Sequence, residues 1–355
     1  MPTFAKLTVK DKVQTTHDCA VVSFAVEEAL QADFDYQAGQ YLTLKAEIDG
    51  EEVRRSYSLC SSPLDREWKV AIKQIEDGRF STFANQVLQP GDELEVLPPN
   101  GRFCVPIDAE AERSYVAFAA GSGITPILSI LKTQLKAEPK SRFKLFYVNR
   151  TVQSIILREE IEALKNQYLD RLEVYHFLTR EERDTPLFNG RLDAEKLATL
   201  YRIFLAPEEI DHYFICGPEQ MIFLVRDFLQ EKGVDAKQIH FELFGTPNGS
   251  AKQEKKQRQT DGSMTAVKLI SNGSTINFEM PKGGNNLLDA ALAKNADLPF
   301  ACKGGVCCTC RAKLLEGQVD MEVNYALEQD EVEAGYILTC QSIPLSEKVV
   351  VDYDA

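Results

Sequence analysis

From Lys6 to about Pro106 apolar and polar residues alternate in short runs, among them residues 20–26, 41–46, 69–75 and 92–96, separated by Gly, Pro and Asp turns. Alternation of period two between turn residues predicts antiparallel strands, here a small barrel. At Tyr115 the period changes. Residues 115–120, 143–148, 172–178 and 213–216 are unbroken apolar runs, and between them lie stretches with apolar residues at helical spacing, such as 127–135, 192–200 and 220–230. Buried strands alternating with amphipathic helices predict βαβ units and a parallel sheet. A run ending His240-Phe-Glu242-Leu-Phe244 closes this unit. Residues 246–263 are polar, without apolar period and basic over 252–258, which predicts a flexible tether. Alternation then resumes at 267–270 and 275–279, followed by a helix over 286–293, a helical turn near 328–334 and a last strand over 348–353. The pattern predicts a multidomain α+β chain: a barrel over 1–107, an α/β domain over 108–246, a linker over 247–264, and a small mixed sheet packed on a helix over 265–355.

A length of 355 residues suits two or three cores better than one. The net charge of -14 argues against nucleic acid, whose phosphates would repel such a surface. It suits docking on a basic protein partner, or simply keeps the chain in solution. No apolar run has the length of a signal peptide or a bilayer span, so a cytoplasmic protein with no membrane association is expected.

Chemistry enters at Pro299-Phe-Ala-Cys302-Lys-Gly-Gly-Val-Cys307-Cys-Thr-Cys310, together with Cys340. Cys302, Cys307 and Cys310 stand at C-x4-C-x2-C spacing with a distant fourth cysteine, the plant-type arrangement for a [2Fe-2S] cluster. Four thiolates must converge on two irons, three from one loop and one from a separate strand. Gly304 and Gly305 are expected to take positive φ and turn backbone N–H groups toward the sulfur. Cys308 falls outside the spacing. Zinc would bring paired knuckles or histidines, and this region has no histidine. A disulfide framework would leave one of nine cysteines over and needs an oxidising compartment.

Other strings are short enough to arise by chance. Arg55-Ser-Tyr57-Ser58 offers a cation, a ring and a hydroxyl on one strand, which could grip a phosphate and cover a flat ring. Gly78-Arg79-Phe80-Ser81 opens a short helix whose free N–H groups suit a diphosphate. Gly121-Ser-Gly123-Ile-Thr125-Pro126 follows a strand and leads into a helix, a phosphate-cradling turn or a tight turn with no ligand. Ligands of parallel sheets bind beyond the carboxyl ends of the strands, where Gly121, Asn149 and Cys216 fall. Cys216-Gly217-Pro218-x-x-Met221 puts a thiol there, which is a binding group or an inert buried cysteine.

In this order the motifs resemble the ferredoxin-NADP⁺ reductase superfamily fused to a C-terminal ferredoxin along the whole chain. The strings Arg55-Ser-Tyr57-Ser58, Tyr147-Val-Asn149-Arg150-Thr151, ACKGGVC and EAGYILTCQSIPL resemble in particular the reductase subunits of phenylacetyl-CoA epoxidases. The resemblance implies an FAD-binding barrel, an NAD(P)-binding α/β domain and a β-grasp [2Fe-2S] domain. It implies that Arg55 holds the FAD diphosphate with Gly78, Arg79, Phe80 and Ser81, that Tyr57 lies beside the isoalloxazine, and that Ser58 lies near its N5 edge. Gly121, Gly123, Thr125 and Pro126 would bind the nucleotide diphosphate, and Cys216, Gly217, Pro218 and Met221 would place the nicotinamide. Glu242 and Phe244 match the acidic and aromatic pair beside the flavin. Val148 departs from relatives that carry glycine there, which implies altered loop packing.

The implied activity is transfer of electrons from NAD(P)H through FAD and the cluster, singly, to a diiron oxygenase component, that of a phenylacetyl-CoA epoxidase or of another oxygenase, hydroxylase or desaturase. A non-catalytic sensor or scaffold is the competing class. Arg150, with Arg158 assisting, follows the strand that ends near the adenosine ribose, and no acid lies between Tyr147 and Leu157, so NADPH is expected before NADH. Glu328, Asp330, Glu331 and Glu333 form a candidate docking face or a solvated helix face.

Overall fold

The computed structural model describes residues 3–206, 208–245 and 262–355. Contacts divide the chain into two compact units, one made of Phe4–Val53 and Tyr57–Phe244 and the other, among the described residues, of Thr3, Arg54–Ser56, Gly245 and residues 262–355. The tether expected over 246–263 lies, for residues 246–261, outside the described residues.

The first unit opens with β1 (Ala5–Thr16), β2 (Cys19–Ala25), β3 (Tyr41–Ile48), β4 (Glu51–Ser58), β5 (Trp68–Lys73), α1 (Arg79–Gln86) and β6 (Glu93–Asn100). The strands form a sheet in the order β4-β3-β6-β1-β2-β5, and a bridge from Leu59 to Val70 joins its two edges into the expected barrel. Inward positions carry Leu7, Val9, Val22, Phe24, Leu42, Leu44, Val70, Ile72, Leu94 and Val96, the alternating set that removes apolar area from water. Phe34 caps this core and accepts the Trp68 indole N–H at 2.7 Å through its carbonyl, so a bulky polar tip is buried without an orphan.

The parallel half follows: β7 (Ser114–Ala120), α2 (Ile124–Ala137), β8 (Arg142–Asn149), α3 (Arg158–Gln167), β9 (Leu172–Leu178), α4 (Ala194–Leu200), β10 (His212–Gly217), α5 (Glu219–Glu231) and β11 (Ile239–Leu243). The strand order β11-β10-β7-β8-β9 reverses direction between β7 and β10, so a crevice opens beyond their carboxyl ends. Asp193 caps α4 by accepting the Lys196 N–H at 2.9 Å. The core of this half continues into the barrel through Cys19, Cys60, Ala71 and Phe103. Polar groups seal the same seam, with Ser129 donating to the Ser61 carbonyl at 2.6 Å and Ser62 bonded to Thr133 at 2.8 Å.

The second unit holds β12 (Met264–Ser271), β13 (Ser274–Pro281), α6 (Leu287–Leu292), β14 (Arg311–Glu316), β15 (Val319–Met321), α7 (Gln329–Glu333), β16 (Tyr336–Leu338), β17 (Ser342–Pro344) and β18 (Lys348–Asp352). Its main sheet runs β13-β12-β18-β14-β16, with β18 in the middle and parallel to β12. Asn286 caps α6 by accepting the Asp289 N–H at 2.7 Å, and Leu287, Leu288 and Ala291 face the core. No helix among the described residues is long and apolar enough to cross a membrane.

Candidate functional site

The cysteine loop runs without regular structure from Pro299 to Cys310 and enters β14 at Arg311. Pairing of Arg311 with Leu338 across β14 and β16 brings the next turn back over the loop. There Thr339 donates to the Cys310 carbonyl through its N–H at 3.2 Å and its hydroxyl at 3.0 Å. Cys340 is thereby delivered to the other three cysteines. The sulfurs of Cys302 and Cys307 are 3.1 Å apart, and Cys340 is hydrogen-bonded to both Cys302 and Cys310. Donation by Cys307 and Cys340, helped by the Gly304 N–H at 3.3 Å, pushes the Cys302 thiol down. The donors Cys307 and Cys340 are pushed up in exchange, and Cys310 is lowered by Cys340.

Four sulfurs joined in a row of hydrogen bonds from Cys307 through Cys302 and Cys340 to Cys310, three of them buried, fit a [2Fe-2S] cluster. Among the described residues no three His, Cys, Asp or Glu groups are placed to hold a single metal ion. Cys308 instead donates to the Ala326 carbonyl at 3.2 Å. One expectation is corrected: of the two loop glycines only Gly305 has positive φ, at 75°, and its left-handed companion is Lys303, at 51°. A Cβ on Gly305 would lie 2.7 Å from the Val323 carbonyl oxygen, so a close approach as well as conformation calls for glycine. Nor do the four acids near the loop form one face. Glu331 is 4% exposed, accepts from Arg311 at 2.8 Å and caps α7 through the Glu328 N–H, leaving Glu328, Asp330 and Glu333 outside.

The second site lies in the first unit, at the crevice between β7 and β10. Ser58, buried at the end of β4, donates to Glu242 Oε2 at 2.9 Å although 184 positions separate them. Glu242 on β11 is in register with Cys216 on β10, which pairs with Ala119 on β7. Burial pushes the half-buried Glu242 carboxyl up to about 7, against the lowering effect of the Ser58 hydroxyl. Burial, then the Glu242 charge, pushes the Cys216 thiol well up, so it is no ready thiolate. Gly123 packs directly on this strand end: a Cβ there would sit 2.1 Å from the Cys216 carbonyl oxygen. The fold thus brings Ser58, Gly123, Cys216 and Glu242 together, while Phe244 stands just beyond β11, 44% exposed.

The residues predicted to hold the flavin divide, and Arg55 belongs to the other unit. Tyr57 is half-buried, with its ring 5.7 Å from that of Phe80. Phe80 itself is a barrel-core residue, so its side chain supports Tyr57 rather than facing a diphosphate. Gly78 caps α1 without a side-chain cap, which leaves that helix end to its backbone N–H groups. Ser81 donates to the Gly78 carbonyl at 3.0 Å and accepts the Ile75 N–H at 3.2 Å, which shapes the turn. Arg79 is engaged by Glu51 and the Ile48 carbonyl, while Arg55 donates to the Arg54 carbonyl at 2.7 Å.

On the nucleotide side, Gly121–Gly123 forms a 3-10 turn into α2. Thr125 donates to the Ser122 carbonyl at 3.0 Å, the Tyr147 hydroxyl donates to the Gly121 carbonyl at 2.9 Å, and Pro126 is buried in the first turn of α2. Pro218 caps α5, between Gly217 and the buried Met221. At the end of β8, Asn149 is 6% exposed, and its side chain hydrogen-bonds the buried Tyr147 phenol. Arg150 and Arg158 are exposed. Sequence reasoning missed Arg180 and Glu181, which the backbone ladder sets beside Arg150. The Arg180 N–H donates to the Arg150 carbonyl at 2.8 Å, and Glu181 Oε2 accepts the Val152 N–H at 2.8 Å. No local signal announces this, because it depends on β8 and β9 being neighbours.

Three family descriptions match the chain: an oxidoreductase FAD-binding domain over residues 6–104, an oxidoreductase NAD-binding domain over 118–227, and a 2Fe-2S iron-sulfur cluster binding domain over 269–345. The chain is 44% identical over 355 residues to a subunit of the 1,2-phenylacetyl-CoA epoxidase of Escherichia coli, covering 100% of this chain and 99% of that one. It is 35% identical over 353 residues to the ferredoxin reductase component of 3-ketosteroid-9-alpha-monooxygenase of Rhodococcus rhodochrous, covering 98% and 96%. Among solved structures it is similar to phthalate dioxygenase reductase, with a TM-score of 0.60 and 26% identity over 98% of each chain.

Proposed function

The chain belongs to the family of NAD(P)H-dependent iron-sulfur flavoprotein reductases that serve oxygenases, and from that membership we propose that it draws electrons from NADPH and delivers them to the oxygenase component of a phenylacetyl-CoA epoxidase. The observation that carries the reading is the 44% identity, over its whole length, to a subunit of such an enzyme. Bound FAD and a [2Fe-2S] cluster supply the change from two-electron to one-electron transfer.

The residues do the positioning. Arg55, the N-terminal turn of α1 and Ser81 would hold the FAD diphosphate, with Tyr57 against the flavin ring. Ser58 and Glu242 form one hydrogen-bonded pair, so the serine hydroxyl is held in one direction and the carboxyl can keep or release a proton at Oε1 or Oε2 near neutral pH. Cys216, too poor an acid to attack, would act by shape, giving the nicotinamide a neutral face to lie on. Cys302, Cys307, Cys310 and Cys340 would hold the cluster. Asn149, at the end of β8, would lie against the nucleotide.

Preference for NADPH is supported by Arg150 and by Arg180 beside it, two exposed guanidinium groups at the strand end where the adenosine ribose of a bound nucleotide would lie. Arg150→Ala should raise the KM for NADPH by about tenfold relative to NADH, the loss of one charge-assisted contact. An equal change for both nucleotides would sink the NADPH assignment. For the partner, the measurement is NADPH-dependent turnover of purified phenylacetyl-CoA epoxidase oxygenase against that of a ring-hydroxylating oxygenase. Faster coupled turnover with the latter would move the protein to a different partner in the same class.

A further inference from the structure

We propose that Glu181 limits how sharply the nucleotide site separates NADPH from NADH, acting as a fixed negative charge against Arg150 and Arg180. The inference rests on reading the end of β8 as the adenosine side of the site. Beyond the strands the parallel ladder continues, with the Thr179 N–H donating to the Asn149 carbonyl at 2.9 Å and the Arg180 N–H to the Arg150 carbonyl at 2.8 Å. That continuation sets the next residue, Glu181, against the loop that carries Arg150, where its carboxylate accepts the Val152 N–H at 2.8 Å.

Both ends of this contact are held. Ser154 accepts the Thr151 N–H at 3.0 Å and donates to the Thr151 carbonyl at 2.8 Å, so the receiving loop is closed on itself. On the other side Asn189 accepts the Arg183 N–H at 2.8 Å and donates to the Arg183 carbonyl at 3.0 Å, fixing the turn that presents Glu181. The neighbouring cations are not used up, since among the described residues the side chains of Arg150 and Arg180 make no hydrogen bond or ion pair. One carboxylate therefore acts in opposite senses on the two nucleotides. It repels a 2′-phosphate that the arginines attract, and it can accept from a ribose 2′-hydroxyl, the recognition associated with NADH.

The experiment is calorimetric titration of the flavin- and cluster-loaded full chain with 2′,5′-ADP and with 5′-ADP, which isolate the adenosine half from electron transfer. Glu181→Gln keeps an acceptor for the Val152 N–H and removes the charge. It should tighten 2′,5′-ADP about fivefold, the order expected when one unit charge stops acting on a phosphate through solvent. It should leave 5′-ADP unchanged or weaker, and the gain should shrink as salt is raised. Equal changes for the two fragments, or none, would overturn the role of Glu181. Arg150→Ala and Arg180→Ala in the same titration separate that failure from a failure of the NADPH reading. If neither weakens 2′,5′-ADP more than 5′-ADP, the adenosine side has been misplaced and the inference falls with it.

Discussion

The cysteine loop and the crevice of the parallel sheet meet the same demand, to hold a redox group, by opposite means. Three of the four sulfur residues lie in one loop and the fourth is returned by one strand pairing. In the crevice, Ser58 and Glu242 meet across 184 positions, and Cys216 joins them only through the register of β10 with β11. A site made by local chain concentrates its risk in a few side chains. A site made by topology spreads it over backbone packing, where even a glycine can matter as much as a polar group.

Substitutions should expose that contrast. Cys307→Ser should cut NADPH-driven reduction of a one-electron acceptor that depends on the cluster by on the order of a hundredfold or more, because a ligand matters more than an outer partner. Flavin reduction, followed by anaerobic visible spectroscopy, should stay within about twofold. Loss of both activities together would mean that the two sites are not separable. Gly123→Ala tests the crevice through backbone alone. The added carbon would lie 2.1 Å from the Cys216 carbonyl oxygen, so the strand end must move. We expect about 1–3 kcal/mol of destabilisation and a fall in kcat/KM of about tenfold or more, with the cluster's EPR signal intact. Wild-type stability and kinetics would show that the crevice has slack.

The smallest effects belong to pH, and two residues on β11 should show them with opposite sign. The raised Glu242 carboxyl, about 7 against 4.5, keeps a proton in the folded chain that the unfolded chain has released. Its contribution to stability should therefore fall as pH rises from about 4.5 to 7. His240, bonded to His212 at 3.1 Å, is lowered from 6.5 to about 4 by burial and then by His212. Its contribution is complete above 6.5 and is lost as pH falls toward 4. Thermal melts of wild type against Glu242→Gln and His240→Gln should give difference slopes of opposite sign in these windows. Slopes of the same sign would break the assignment of one group.

Legibility followed the same division. The four cysteines could be read directly, since their chemistry demands a spacing. Strand period and turn residues likewise announced the barrel and the parallel sheet, because inward positions must be apolar wherever the fold places them. Ser58 and Cys216 stood out as candidates in their own strings and Glu242 only through resemblance, and nothing near any of them in the chain points to the other two. Arg180 and Glu181 were invisible because their meaning depends on the ladder between β8 and β9. Glu331 was grouped with its acidic neighbours, yet Glu328 and Glu331 stand at capping-box spacing, a signal that one of the acids turns back on its own helix. Of Gly304 and Gly305, a repeated glycine cannot say which copy carries the positive φ.

The place of β18 in its sheet has a consequence for how the protein is made. This strand follows every cysteine in the sequence, yet it sits between β12 and β14 and joins the two halves of the sheet. During synthesis, then, all four sulfur residues emerge before the sheet that supports them can close. For that interval the thiols belong to an unfinished fold, and the strand that completes it carries none of the ligands.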